Sequence, residues 1–322
     1  MRFRTRARQS RPRLQPELDD TELARAIAHV EAQIAAQGDN LAESNDRGAL
    51  TYPIEQVLRE AGEDWDRRTH RLGVLANMPD AVVLADQWRS RQPGNGDAIL
   101  FHAWAQLATA RANGSLPDAE AVIGISHRAA DLLPTDPAPW VAILGCCRIL
   151  RTSMHQTQPA WREVMARHPW NREAHLQMLR YCSPEECGSN VLTVQFVDAV
   201  VASAPPGSPI ASLELAASLA RYQRTVDMGG VIALTARRHW DEHRERSLLD
   251  HALTSWLSPG FLRHAAALAD LNLLAFVLTK ANRLTDAKEV FRSIGTTVTA
   301  WPWEVDGVPL EAFIECRSRA CR

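Results

Sequence analysis

His239-Trp240-Asp241-Glu242-His243 is the segment whose residue types and spacing come nearest to a catalytic device. On a helix, His239 and His243 lie one turn apart on the same face, where two imidazoles can share a divalent metal while Glu242 acts as base. Glu311 or Glu315 stands at a suitable downstream distance for a third ligand. The flanks Arg237-Arg238 and Arg244-Glu245-Arg246 are strongly charged, however, and favour an exposed, salt-bridged helix face over a buried metal helix. The six cysteines are Cys146, Cys147, Cys182, Cys187, Cys316 and Cys321. Cys182-x4-Cys187 and Cys316-x4-Cys321 could pool four thiolates around zinc, but the spacing is wide and Cys321 is the penultimate residue. Buried or idle thiols are the favoured reading, and Cys146-Cys147 sit in an apolar stretch that reads as core.

Other catalytic signatures fail. Gly94-Asn-Gly96 ends at Ile99 and follows no strand, and Gly124-Ile-Ser126-His-Arg128 lacks the last glycine of a nucleophile elbow. Glu-x-x-His and Walker A patterns are missing. The loop Cys182-Ser-Pro-Glu-Glu-Cys-Gly188 could bind something, but Ser183 with Glu186 three residues on reads better as a helix capping box. Ten tryptophans admit a ligand cavity, with Trp104, Trp140, Trp161 and Trp170 as its lining. Core packing is favoured for Trp104 and Trp140.

Charge is unevenly placed. Six arginines between Arg2 and Arg13 carry +6 on the first sixteen residues, and the formal net charge of −2 leaves −8 on residues 17–322. A basic tail is the one part suited to nucleic acid; the acidic body is not. The expectation for residues 1–16 is a disordered tail. No apolar run follows the arginines and no stretch is long and apolar enough to span a bilayer, so a cytoplasmic protein with reduced thiols and no membrane partner is expected. Arginine greatly outnumbers Lys280 and Lys288, the bias of a GC-rich bacterial genome.

The elements are read as helices almost throughout. Leu23, Ile27, Val30 and Ile34 keep a helical period behind an Asp20 cap and before Gly38; a polar loop is expected over 39–48. Ile54, Val57, Leu58 and Ala61 repeat the pattern, with Pro53 placed in the first turn. Gly295–Trp303 is the one β-branched run. Trp104-x-x-Leu107-Ala108 recurs 36 positions later as Trp140-x-x-Ile143-Leu144, each expected to open a helix. Proline-containing turns at Leu133-Pro134-x-Asp136-Pro137 and His168-Pro169-x-Asn171 then separate helix pairs. Trp301 and Trp303 would cap the array.

Residues 268–301 resemble a tetratricopeptide repeat: Leu271-x-x-Leu274-Ala275-x-x-Leu278, Asn282-Arg283 at the turn, then Ala287-x-x-x-Phe291. Leu replaces the usual first aromatic and Thr299 the usual proline. From about Ala98 to Trp303, Asp136-Pro-Ala-Pro-Trp140, His168-Pro-Trp-Asn171, Ala174-His-Leu-Gln-Met-Leu179 and Trp301-Pro-Trp303 resemble actinobacterial proteins of unknown function with a tetratricopeptide-like helical domain. That resemblance implies a fold and no activity.

The expectation is therefore an all-α chain forming an α-solenoid of stacked antiparallel helix pairs: a tail over 1–16, a helical region over 17–93, and the repeat domain with its cap over 94–322. Its expected role is non-catalytic binding of a partner protein or peptide on the concave face, without a cofactor. Candidate contacts are His102, Arg111, Trp161, Trp170, His175, Arg180 and Tyr222. A small-molecule partner is a further option. The alternative is an enzyme, either a metal-dependent hydrolase holding its ion with His239, His243 and Glu315, or a biosynthetic enzyme with a tryptophan-lined cavity.

Overall fold

Helical periodicity and side-chain caps dictate most of the element boundaries in the computed structural model, which describes residues 11–37 and 47–322. The arginines from Arg2 to Arg8, the Gly38 stop and most of the 39–48 loop fall outside the described residues. Among the described residues the chain is all-helical, 72% helix and 1% strand. No helix among the described residues is long and apolar enough to cross a membrane. The helices divide between two compact units.

The first unit comprises residues 20–217 with 262–265. It contains α1 (Thr21–Gln37), α2 (Arg47–Ala61), α3 (Trp65–Ala76), α4 (Ala81–Arg91), α5 (Gly96–Asn113), α6 (Ala119–Leu132), α7 (Ala138–Ile149), α8 (Met154–Arg167), α9 (Arg172–Tyr181) and α10 (Asn190–Ser203). Caps open many of them: Asp20 accepts from Leu23 N, Asp64 from Arg67 N, Asn95 from Asp97 N, Asn171 from Ala174 N and Ser189 from Leu192 N. Most of these helices pack on their sequential neighbours, and α3, α5, α7 and α9 also touch one another in succession. One continuous apolar core runs from Leu23 to Cys182. Because α3 and α4 pack directly on α5, residues 20–93 belong with 94–217, and no boundary falls near residue 93.

A buried cation ties the starts of these helices together. Arg68 on α3 is 5% exposed. Its guanidinium donates to Leu58 O (3.1 Å) at the end of α2, to Asp97 in the first turn of α5, and to Asp136 Oδ2 (2.7 Å) just before α7. Asp136 Oδ1 in turn accepts from Ala138 N at 2.8 Å. Next to Arg68 on α3, Thr69 Oγ1 accepts from Asn171 Nδ2 (3.2 Å), the cap of α9. Arg71, one turn on, donates twice to Asp20 and once to Val57 O.

The second unit comprises residues up to Asp19, Ser218–Phe261 and Ala266–Arg322. The division falls within α11 (Leu213–Asp227); α12 (Gly230–Thr235), α13 (His243–Trp256), α14 (Ala267–Lys280), α15 (Leu284–Ile294) and α16 (Pro309–Cys321) follow. The α14–α15 hairpin lies where the repeat-like segment places it, with Leu274, Ala275, Leu278, Ala287 and Phe291 buried and Asn282 turning the chain at φ +56°. Trp303 is fully buried among Phe276, Phe291 and Phe313, and its Nε1 donates to Asn272 Oδ1 at 2.8 Å.

Three expectations are corrected. Residues 11–16 are not a disordered tail: β1 (Arg13–Leu14) pairs in parallel with β2 (Thr297–Val298), and Thr297 Oγ1 donates to buried Gln15. Pro53 lies inside α2, which begins at Arg47. The 36-residue recurrence is not a structural repeat. Trp104 sits in the middle of α5, buried, with Nε1 donating to Ala138 O, whereas Trp140 sits in the first turn of α7, half-buried against His127 and Arg167. Successive helices of this set start at irregular intervals, at residues 65, 96, 138 and 172.

Removing one partner of a buried, hydrogen-bonded ion pair strands the other charge, at a cost of about 3–5 kcal/mol. Asp136→Ala should therefore lower unfolding free energy by about that amount in urea titration; a loss below about 1 kcal/mol would show that Arg68 does not organise the unit.

Candidate functional site

Three of the helices that touch in succession, α5, α7 and α9, each carry arginine in the last turn: Arg111, Arg148 and Arg180. A cation there complements the negative end of the helix dipole, which is the local reason for the residue type. The packing then brings the three within electrostatic reach of one another. Gly145 makes room for this on α7: a Cβ there would lie 2.5 Å from Leu107 Cδ2 and 3.2 Å from Arg111 Nη2. Arg111 thereby reaches Glu173 on α9, Nη2 to Oε1 3.4 Å. Arg148 Nε lies 3.5 Å from Glu186 Oε2 in the loop after α9.

These pairings leave donors over. Arg111 Nε and Nη2 and Arg148 Nε are buried without a hydrogen bond, although Arg148 is only 9% exposed. Three guanidinium groups face two carboxylates, so the cluster is electropositive. Its ionisation reflects that. Burial drops Arg148 to about 10 against the pull of Glu186, with Arg180 and Arg111 pushing the same way as burial. Burial also lowers Arg111, opposed by Glu173 and reinforced by Arg180. Glu173 goes the other way: burial raises it, but Arg111, the Gln177 amide and Arg180 outweigh that and hold it below its ordinary range. Unfilled buried donors with surplus positive charge are the arrangement that recognises a carboxylate or another oxyanion.

A cavity of about 300 Å³ adjoins the cluster through Glu186, with Arg151, Met154, Tyr181, Cys182 and Leu192 among its walls. Its loop is held closed by Gly188 N and Ser189 N, which donate to Ser183 O and Cys182 O. A Cβ on Gly188 would stand 2.1 Å from the Cys182 carbonyl oxygen. Ser189, not Ser183, caps the following helix, which corrects the capping box expected at Ser183 and Glu186. No activated nucleophile lines the cavity. Burial pushes the Cys182 thiol up to about 11 and raises Cys187, and the Tyr181 hydroxyl is spent on Thr152 O at 2.6 Å. No tryptophan is among its lining residues, so it is not the tryptophan-lined cavity of the biosynthetic alternative.

The expected contacts fall into separate groups. Arg111 and Arg180 belong to the cluster; Arg148 and Glu186, neither of them an expected contact, join them. His175 is 2% exposed, its Nδ1 paired with Asn171 O at 2.8 Å, and it packs with Trp161, Trp170 and Phe196 as an aromatic core. His102 is buried too, with Nε2 2.9 Å from Asp86. Neither histidine is presented to a ligand. Tyr222, in the second unit, lies beside His239 and Trp240.

The structure does not bring the metal set of His239, His243 and Glu315 together. His239 lies within a 3-10 turn (Ala236–Asp241), Glu242 is extended at ψ 146°, and His243 opens α13, so the two histidines do not share a helix face. His239 is buried with Nε2 3.0 Å from Ser218 Oγ, whereas His243, Glu311 and Glu315 are exposed. Glu245, outside the motif's metal set, is the buried carboxylate: Ser218 and Arg221 both donate to it. Among the described residues no group of three or more His, Cys, Asp or Glu could hold a metal ion, the two cysteine pairs included. No family model, curated protein or solved structure matches this chain.

Burial drives His175 down to about 4, so the folded chain leaves it neutral. Unfolding frees it to bind a proton near pH 6.5, so stability is intact above that pH and declines as the pH falls toward about 4. The share of His175 in that loss is about 3 kcal/mol. His102, His168 and His239 are lowered as well and add to the slope. In urea titrations at pH 7 and pH 5, His175→Gln should visibly narrow the gap between the two midpoints. An unchanged gap contradicts the assignment.

Proposed function

We propose that this protein is a helical scaffold, an α-solenoid of tetratricopeptide-like helix pairs of irregular length without a regular sequence repeat, that binds an acidic segment of a partner protein or peptide through Arg111, Arg148 and Arg180. The observation that carries the reading is the set of buried, unfilled arginine donors where α5, α7 and α9 meet. The succession of α3, α5, α7 and α9 supports the stacked-pair architecture, with each pair burying its apolar faces on its neighbours. Preformed walls lose little ordering entropy on docking, and carboxylates on an extended or helical segment complete the arginine pairs. The adjoining cavity offers room for an apolar side chain between Met154 and Leu192. The absence of a lowered thiol pKa or a free hydroxyl in that cavity supports a binding role over a catalytic one.

The test is an array of short peptides of graded net charge probed with the full chain. Acidic peptides should be retained in proportion to charge, and Arg180→Glu, an exposed change, should weaken retention about tenfold or more. Retention independent of charge, or untouched by Arg180→Glu and Arg111→Ala alike, sinks the reading.

A further inference from the structure

We infer that Val226–Arg238 in the second unit is a docking surface for an anionic lipid bilayer, inserting aliphatic side chains at the interface and pairing Arg237 and Arg238 with lipid phosphates. The exposure is unusual in kind. Val226, Met228, Val231, Ile232 and Leu234 are all exposed, Val231 at 79% and Met228 at 66%, and α12 buries none of its residues. Isolated apolar residues on a surface need no explanation, but five within nine positions form a patch that water disfavours.

The patch is held out, not frayed. On one side α11 ends at Asp227, and Gly229 and Gly230, at φ +69° and +55°, turn the chain sharply into α12. These left-handed conformations suit glycine and few other residues. On the other side Ala236, His239 and Trp240 are buried. His239 pairs with Ser218 on α11, and Trp240 packs 5.6 Å from Tyr222 on the same helix. Both ends of the segment are thus fastened to α11, and the aliphatic residues stand between two anchors.

Charge selects the occupant. Arg237 and Arg238 are exposed, make no ion pair among the described residues, and begin three residues after Leu234. No acid occurs between Met228 and Trp240; Asp227 bounds the segment at one end, and Asp241 at the other is paired with Arg246 at 3.3 Å. Aliphatic side chains and methionine, with neighbouring arginine, match the layered chemistry of acyl chains beneath anionic headgroups. The patch has no aromatic anchor of the kind that dominates protein interfaces. A second copy related by a two-fold axis would bring the two arginine pairs into one self-complementary interface, where like charges repel. Six helical residues extend about 9 Å, which reaches into the headgroup boundary and cannot span. The expectation of no membrane partner rested on the lack of a span, and this surface departs from it without contradicting that lack.

The test is sedimentation of the full chain with vesicles of phosphatidylcholine alone or mixed with phosphatidylglycerol. The chain should sediment with the anionic vesicles, less so as salt rises, and much less with phosphatidylcholine alone. Val231→Asp with Ile232→Asp should reduce partition about tenfold or more at unchanged circular dichroism, and Arg237→Ala with Arg238→Ala should weaken it about tenfold. The proposal is overturned by absence of vesicle binding. It is equally overturned by binding that Val231→Asp with Ile232→Asp leaves intact, which would assign it to the arginines between Arg2 and Arg13. A dimer in sedimentation velocity that the same variant dissociates assigns the patch to a second copy and also overturns it.

Discussion

The guanidinium of Arg68 is the constraint on which the first unit turns. It is almost wholly buried, and a cation in that position is tolerated only where its donors are satisfied. Here they are, by the carbonyl that ends α2 and by carboxylates at the starts of α5 and α7. The price of taking Asp136 out of water is visible in its ionisation, because burial raises its pKa in spite of Arg68 and the Ala138 N–H. One side chain therefore sets where three helices begin or end relative to α3. Thr69, its neighbour, fixes a fourth through the Asn171 cap.

The arginine cluster of α5, α7 and α9 is the same chemistry left incomplete. Arg111 and Arg148 are largely removed from water as Arg68 is, but their carboxylates stand at 3.4 and 3.5 Å and several donors bond to nothing. A protein gains nothing in stability from such a deficit, since an unfilled buried donor costs more than a filled one returns. Within one unit, one set of buried arginines is fully paired and the other is not. The contrast assigns the first to architecture and makes the second the place where an added anion would lower the free energy most.

Much of this was legible in the sequence, and the parts that were not share a cause. Local signals held: Asp20 caps α1, the 271–291 pattern forms a helical hairpin, and the β-branched run near residue 297 is a strand. What failed depended on phase and on distant partners. Trp104 and Trp140 match in local motif yet differ by six places in where they fall along their helices, because a short motif carries no record of where its helix starts. The pairing of Arg13–Leu14 with Thr297–Val298 joins segments far apart in the chain, and two-residue strands have no periodicity to detect. Arg111 and Arg180 are among the expected contacts, but Arg148 lies in a stretch so apolar that it reads only as core. The signal that could have found it is the recurrence of arginine in the last turn of each of these helices.

The His239–His243 motif shows why residue spacing alone does not make a metal site. Sharing an ion requires both imidazoles on one continuous helical face, and the chain breaks between them, at Glu242, where ψ turns extended. The break lets His239 turn inward to Ser218 while α13 begins afresh with an exposed His243. Burial lowers the His239 pKa even though Glu245 and Glu242 pull the other way. The Ser218 hydroxyl donates to Glu245 and so takes its own hydrogen bond from the His239 Nε2–H, which selects the Nε2–H tautomer of the neutral ring. Glu245 is balanced by Arg221, and the polar chain from histidine to serine to carboxylate to arginine closes without a ligand. Its work is mechanical: it pins the 3-10 turn against α11 and so fixes one end of the exposed aliphatic segment that precedes it.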